Sequence, residues 1–236
     1  DSLVEMSENR LREIFAESGH DFSADRCSGL TMGNLDAAAV EDFRRRWIAK
    51  ASKAEDPALV DRLQPLSAEQ LLTDAEAIVD GKLTYAALIL FATPQAVGKH
   101  LAQAEVVFEY RSSDASGPAQ DCEEYRKGFF CYYDDLWNHI NLRNDKQDFQ
   151  EGLFVTPIST FDERPVREAI LNAVSHRNYQ LGGSIFIRQF PRRLEIDSPG
   201  GLPLGITLDN ILDRQNPRNR RVAEILTRCG LVERSG

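Results

Sequence analysis

Residues 165–201 carry the clearest structural pattern of the chain, a helix followed by two strands and a glycine-rich loop. Pro165 favours the first turn of a helix, where its missing N–H group costs no hydrogen bond, and apolar residues recur at helical spacing as far as His176. Alternating apolar and polar residues then predict a strand over 184–190, and 194–196 predicts the strand that returns after a tight turn. This order predicts a helix packed on an antiparallel hairpin.

Helical spacing dominates the first 150 residues. Segments that predict helices are 2–18, 34–50, a stretch that begins at Ser67, 83–91 and 129–142. A strand is predicted over 104–110, and the polar stretch 144–150 predicts a domain boundary. We therefore expect an α+β protein, with a mostly helical N-terminal and connecting region over residues 1–150. Over residues 151–236 we expect a two-layer domain in which helices cover a mixed or antiparallel sheet.

Charge is distributed unevenly along the chain. From Arg164 onward there are twelve arginines, no lysine and seven acidic residues, a net charge of +5 within a total of −9, so residues 1–163 carry −14. Guanidinium groups bind phosphate and carboxylate oxygens in pairs, which suits a phosphate site, although a solvated arginine-rich surface explains the pattern equally well.

Cysteine usage and hydropathy point to a cytoplasmic protein. The four cysteines form no C-x-x-C pair and follow no signal peptide, which is typical of reduced thiols. No apolar run approaches the length needed to span a bilayer, so we expect no membrane partner.

Polar residues on the helix that follows Pro165 form a candidate site. Glu168, Asn172 and Ser175 share the face opposite the apolar residues. An amide oxygen is a hard ligand that suits Mg²⁺, and a carboxylate can take a proton from an attacking water. A metal–nucleotide site and a solvated polar helix face are both consistent with this pattern.

The glycine-rich loop is a second candidate. Asp197 ends the return strand, and Gly200 and Gly201 follow it. Glycine lets a backbone approach a ligand closely, and the Asp197 carboxylate can accept a hydrogen bond from an exocyclic amine. A plain tight turn is the alternative, since Pro-Gly-Gly is good turn chemistry.

Three segments occur in order and together resemble one family: PVREAILNAVSHRNY, GGSIFIRQFPRRLEIDSPGGLPLGIT and NPRNRRVAEILTRCGLVERSG. They are similar to the C-terminal domain of RecG-related proteins and AlbA-type transcriptional regulators, a divergent branch of the GHKL ATPases. The resemblance covers Pro165 to the end. The segment LTYAALILFATP also resembles the region before this domain, which extends the likeness back to about Asp25.

The resemblance implies a GHKL-like α/β sandwich that binds ATP and Mg²⁺. Glu168 would be the catalytic base and Asn172 the Mg²⁺ ligand. Asp197 would recognise adenine, and Gly200 and Gly201 would lie in the nucleotide-binding loop, Gly201 as its last glycine.

Two departures from the family pattern lower the expected rate of hydrolysis. Pro199 replaces the middle glycine of the D-x-G-x-G loop, and the sequence stops where a second glycine box should follow Arg234. We therefore expect nucleotide binding with weak or no hydrolysis.

Two further segments are typical of this family. His176 and Arg177 are typical of this family and have no assigned role, and 216–219 (NPRN) predicts either a capping turn or a phosphate contact.

The expected function is that of a bacterial, cytoplasmic, ATP-binding transcriptional regulator. DNA binding would use an AlbA-type module, of which this sequence holds at most the tail, and a homodimer is one expected arrangement. A non-catalytic scaffold for dimerisation or regulator assembly is the alternative. A helicase motor is not expected, because Gly81-Lys82 and Gly98-Lys99 are not followed by the Ser or Thr of a P-loop.

Overall fold

The computed structural model describes residues 20–113, 117–151, 154–201 and 216–232. The α-helices of these ranges are α1 (Ala37–Lys53), α2 (Pro57–Leu63), α3 (Ala68–Asp74), α4 (Tyr85–Phe91), α5 (Pro94–His100), α6 (Tyr133–Leu142), α7 (Glu163–His176) and α8 (Arg220–Arg228). The strands are β1 (Ile78–Val79), β2 (Lys82–Leu83), β3 (Val106–Tyr110), β4 (Asp121–Tyr125), β5 (Lys146–Glu151), β6 (Phe154–Ser159), β7 (Ile185–Phe190) and β8 (Arg193–Asp197). The helix predicted over 2–18 lies outside the described residues, and so does 207–212, where the sequence predicts a short helix capped by Thr207.

Side-chain caps fix where the N-terminal helices begin. Asp36 accepts hydrogen bonds from the N–H groups of Ala38 and Ala39, so α1 begins at Ala37. The N-cap that the sequence predicts at Asn34 therefore lies two residues too early. Asn34 instead closes a short 3₁₀ turn by accepting from the N–H and hydroxyl of Thr31. At Ser67 the predicted helix start is confirmed, with a reciprocal capping box to Gln70.

Helix α4 lies at the centre of the hydrophobic core. Thr84 caps its first turn, and every residue from Ala86 to Phe91 is buried. The Phe91 ring stacks on Phe130 at a centroid distance of 5.2 Å and meets the edge of Phe43 from α1 at 5.5 Å. Because α4 is apolar on all sides, the other helices must surround it.

A four-stranded mixed sheet lies beside the helices, with the strand order β4-β3-β7-β8. The two central strands, β3 and β7, run parallel and place Phe108 opposite Ile187, while the outer strands are antiparallel to their neighbours. The predicted hairpin of β7 and β8 is confirmed, and so is the α+β class.

The sheet takes strands from both sides of residue 150, where a domain boundary was predicted. Strand β3 lies before that residue and pairs with β7, which lies after it. A boundary at residue 150 would therefore separate the two central strands, and the helical region and the sheet do not divide there.

Strand β4 and the hairpin of β5 and β6 were not predicted. The sequence of β4 is acidic, and β5 covers most of the polar stretch 144–150, where the domain boundary was predicted. In the described part of the chain, no helix has the length and apolar character that crossing a bilayer requires.

Candidate functional site

Helix α7 presents Glu168 and Asn172 to solvent. The helix begins at Glu163 because Asp162 caps it by accepting from the N–H group of Arg164, so Pro165 lies within the first turn, as expected. The apolar face of α7, with Ile170 at its centre, is buried. Glu168 and Asn172 are both exposed, and their spacing of four residues places them one turn apart on the same face.

Arg167, the neighbour of Glu168, fixes α7 against α6. Its guanidinium lies 2.6 Å from the Glu163 carboxylate and 3.1 Å from that of Asp134 on α6. It also stacks over the Tyr133 ring, 4.4 Å from the centroid. Asp134 in turn accepts from Arg46 of α1 at 2.6 Å. This network ties three helices together and holds the turn that bears Glu168.

The last turn of α7 is covered by the segment 216–219. Ser175 was predicted to share the solvent face with Glu168, but its side chain is buried. Asn219 donates from its backbone N–H to the Ser175 carbonyl, and its side-chain amide donates to the carbonyls of Ser175 and Arg177 at 3.0 and 2.8 Å. Of the two roles predicted for 216–219, the capping turn is therefore observed at Asn219.

Arg177 has a structural role that the sequence did not reveal. Its side chain is fully buried, and its guanidinium donates to the carbonyls of Asn178, Gln103 and Gly183. Burial lowers the pKa of this guanidinium. These carbonyls belong to the α5–β3 and α7–β7 connections, so Arg177 holds the chain that leaves α7 against the segment that leads into β3.

His176 lies half-buried at the end of α7. Burial, followed by the nearby positive charge of Arg218, lowers the pKa of its imidazole. The neutral ring is therefore favoured near neutral pH.

Hydrogen bonds fix the glycine-rich loop onto the end of α7. The Ser198 hydroxyl donates to the Ala173 carbonyl at 3.0 Å, and the Asn178 N–H donates to the Pro199 carbonyl at 2.8 Å. Gly200 has a φ of 128°, and a Cβ there would lie 3.0 Å from the Cβ of Asn178. This glycine is thus required by the approach of the loop to Asn178.

Gly201 has no such neighbour, since a Cβ there would meet nothing within 4 Å. Its carbonyl accepts from the Arg218 guanidinium at 3.0 Å. The rest of the loop, residues 202–215, lies outside the described residues, as does the end of the chain after Val232.

Asp197 lies on the sheet face that points away from α7. In register it stands opposite Phe186, so the two side chains share one face. The other face carries Leu194 and Ile196, which pack against the core that includes α7. The structure therefore places Glu168 and Asn172 together and puts the Asp197 carboxylate on the other face of the sheet, and the adenine contact of Asp197 stays a prediction.

The residue that reaches α7 from this strand end is Ser198. The sequence held a signal for it, because Leu194, Ile196 and Ser198 follow one another at the spacing of two that places residues on the same face of a strand.

The donor set on α7 fits a magnesium–nucleotide more closely than a metal bound by protein alone. Within the described ranges, no group of three His, Cys, Asp or Glu residues is placed to hold a metal ion. Mg²⁺ keeps several waters and usually takes one or two protein oxygens together with substrate phosphates. The exposed Glu168 and Asn172 offer oxygens of this kind.

Comparisons with known proteins support the family assignment of the C-terminal part. Residues 182–236 match the family model described as "Putative ATP-dependent DNA helicase recG C-terminal". This match supports a RecG-related, HATPase-like domain. No match to the chain is found among curated proteins.

Among solved structures, the chain is similar to the crystal structure of the DIP2311 protein from Corynebacterium diphtheriae. The sequences are 24% identical, the TM-score is 0.70, and the likeness covers 98% of this chain and 44% of that chain. The chain thus spans less than half of the length of DIP2311, and this likeness shows the fold.

Proposed function

We propose that the exposed face of α7 and the glycine-rich loop bind a nucleoside triphosphate with Mg²⁺, and that hydrolysis is weak. The observation that carries this proposal is the position of Glu168 and Asn172. Both are exposed, one turn apart, on the helix to whose end the loop is bonded. The match of residues 182–236 to a RecG C-terminal model supports the same assignment.

Each residue of this face has a distinct task in the proposal. The Asn172 amide oxygen binds the magnesium ion, which neutralises phosphate charge when it is bound. The Glu168 carboxylate takes a proton from a water molecule and needs no contact with the base of the nucleotide. Arg167 keeps the helix turn in place through Asp134.

Weak hydrolysis is expected because Pro199 has no backbone N–H and so removes one donor from the glycine-rich loop. Preorganised donors directed at developing charge are the largest contribution to most catalysis of this type.

We also propose that the nucleotide-binding site is part of a regulatory protein. This proposal rests on the resemblance to AlbA-type regulators. DNA affinity is not expected from residues 1–163, since their net charge of −14 repels phosphates. Any DNA contact would come from the arginine-rich part or from a separate module.

Calorimetric titration with ATP, with and without Mg²⁺, tests the proposal. Glu168→Ala is expected to keep binding and to abolish any hydrolysis, because a general base acts on water. Asn172→Ala is expected to weaken Mg²⁺-dependent binding about tenfold to a hundredfold, the effect of removing one contact to a charged group.

Glu69→Ala provides the matched control, since Glu69 is an exposed acid on α3. It should leave binding and hydrolysis unchanged. Absence of ATP binding by the wild-type protein would contradict the proposal and favour a non-catalytic scaffold.

A further inference from the structure

Strand β4 is an outer strand of the four-stranded sheet, and a groove runs beside it. The sheet order β4-β3-β7-β8 leaves one side of β4 without a neighbouring strand among the described residues. A groove of about 220 Å³ lies between β4 and α6, and the sheet contributes β4 to its lining but not β3. The groove therefore follows the outer edge of the sheet. Such an edge presents unpaired N–H and C=O groups, to which an extended peptide can add as a further strand.

One face of α6 forms the other wall of the groove. Asp135, His139 and Leu142 line it, at spacings of four and three residues that place them on the same side of the helix. From the first to the last of them the helix rises about 10 Å, which is the length of roughly three residues of an extended strand. The groove is thus long enough for a short strand between β4 and α6.

The base of the groove is aromatic. The Tyr125 side chain is buried, and its hydroxyl forms a hydrogen bond of 2.6 Å with Nδ1 of His139. Leu142, in contrast, is 74% exposed, a large fraction for a leucine side chain. A strand laid in the groove would cover this leucine, and the burial of apolar surface would stabilise the complex.

The groove carries an excess of negative charge. Glu123 and Asp135 line it from opposite walls, and among the described residues neither carboxylate has an ion-pair partner. Burial raises the pKa of the Tyr125 hydroxyl, and carboxylates, led by those of Glu123 and Asp135, raise it further. Lys127 also lines the groove, with its ammonium 5.9 Å from the Tyr125 ring centroid. Two carboxylates therefore face one ammonium.

The side of β4 that faces away from α6 is acidic as well. Glu124 stands opposite Val107 in register and is exposed on that face. A strand added to β4 would thus meet carboxylates on both of its faces. Opposite charges on neighbouring strands stabilise their pairing, and like charges oppose it. The edge therefore favours a basic strand and disfavours an acidic one, including the β4 sequence DCEEY of a second copy.

We propose that the groove between β4 and α6 binds a basic, extended peptide segment of a partner protein, which adds to the sheet as a strand beside β4. Lysine or arginine side chains at alternate positions of the segment contact Glu123 and Asp135. Their aliphatic stems cover Tyr125 and Leu142. This surface uses no residue of the proposed nucleotide site, so the two proposals stand or fall separately.

Calorimetric titration of the intact chain with a capped heptapeptide of alternating lysine and threonine tests the proposal. This peptide is expected to bind, whereas its counterpart of alternating glutamate and threonine is not. Hydrogen exchange should slow at alternate amides of β4, in proportion to the fraction of protein bound. The reason is that only the N–H groups on the free side of the strand gain a partner.

Charge reversal on either wall of the groove supplies the variants. Asp135→Lys and Glu123→Lys are each expected to weaken binding of the lysine peptide about tenfold, since a favourable charge pair becomes a repulsive one. Asp135→Asn, which keeps the size of the side chain, should weaken it about threefold. Glu69→Lys on α3 is the matched control, because it reverses the charge of an exposed helix acid outside the groove. The control should leave the affinity unchanged.

The proposal fails if the lysine peptide does not bind, or if the β4 amides keep their exchange rates when it is bound. It also fails if Glu69→Lys weakens binding as much as Asp135→Lys does, because the attraction then comes from the net charge of −9 and not from the groove. Protection of the β4 amides that rises with protein concentration, without peptide, would assign the edge to a second copy and overturn the proposal in the same way.

Discussion

At the scale of single residues, Gly128 shows how closely the helical core is packed. Its N–H donates to the Ala92 carbonyl at 2.7 Å, just beyond the end of α4. A Cβ at this position would lie 2.5 Å from the Ala92 nitrogen and 2.6 Å from the Phe91 carbonyl carbon. These are backbone atoms, which cannot move aside as a flexible side chain does.

Gly128→Ala is therefore expected to lower the free energy of unfolding by about 3 kcal/mol, the upper end of the usual cost of overpacking. Gly98→Ala is the matched control. Gly98 is exposed in α5, and a Cβ there would meet nothing within 4 Å. That substitution should stabilise the protein by roughly 0.5–1 kcal/mol, since alanine favours helix. Denaturant unfolding of both variants measures the difference, and equal stabilities would contradict the packing at Gly128.

Residue spacing correctly predicted the exposure of two of the three polar residues proposed on α7. The four-residue interval between Glu168 and Asn172 was enough to place both on the solvent side of α7. Ser175 follows the same rule but is buried, because Asn219 and its neighbours pack over the last turn. That contact joins residues more than forty positions apart, so no local pattern could reveal it.

At the scale of elements, Asn219 caps α7 from outside the helix. Its amide saturates two carbonyls that the helix end leaves without intrahelical partners. Asn219→Ala is expected to destabilise the protein by about 1–3 kcal/mol, because the Arg177 carbonyl loses the amide donor and the Ser175 carbonyl keeps only the backbone N–H of residue 219. Hydrogen exchange should show faster exchange at the end of α7 before it changes in the sheet.

Asn138→Ala on α6 provides the comparison for this cap, since Asn138 is an exposed helix residue. It should change stability by no more than about 0.5 kcal/mol. If Asn219→Ala is equally neutral, the segment 216–219 does not hold the end of α7 in solution.

Elements with a clear apolar pattern were predicted from the sequence. Helix α4, which is apolar on all sides, and the hairpin of β7 and β8, whose residues alternate, fall in this class. Strand β4 was missed because its sequence, DCEEY, lacks apolar alternation. It forms an edge of the sheet, where acidic side chains are tolerated and disfavour pairing with other chains.

At the scale of the whole molecule, the parallel pairing of β3 with β7 could not be predicted from local sequence patterns. Nearly eighty residues separate Phe108 from Ile187, which stands opposite it. Parallel strands need a long crossover connection, and here α6, α7 and the β5–β6 hairpin all lie within it. A polar stretch inside such a connection resembles a linker, which explains the boundary predicted near residue 150.

The helices, like the sheet, depend on contacts between residues that are far apart in the sequence. The Arg221 N–H at the start of α8 donates to the Asp21 carboxylate at 2.8 Å, and the Lys50 ammonium of α1 donates to the Thr227 carbonyl at 2.6 Å. Thus the cap of α8 is supplied by a residue two hundred positions away. The N-terminal region is part of the same folded unit as the candidate site.

The fragments 1–150 and 151–236 are therefore expected not to fold separately. The second fragment lacks β3, the central neighbour of β7, and Asp134, which pairs with Arg167. Without β3 the inner edge of β7 is unpaired, and the hairpin with α7 and α8 buries less surface than the intact fold does. Dispersion in amide NMR spectra and the cooperativity of thermal unfolding measure this for each fragment and for an equimolar mixture. Native-like spectra should return only in the mixture or in the intact chain, and a cooperative transition of 151–236 alone would show that the domain predicted from its sequence is independent after all.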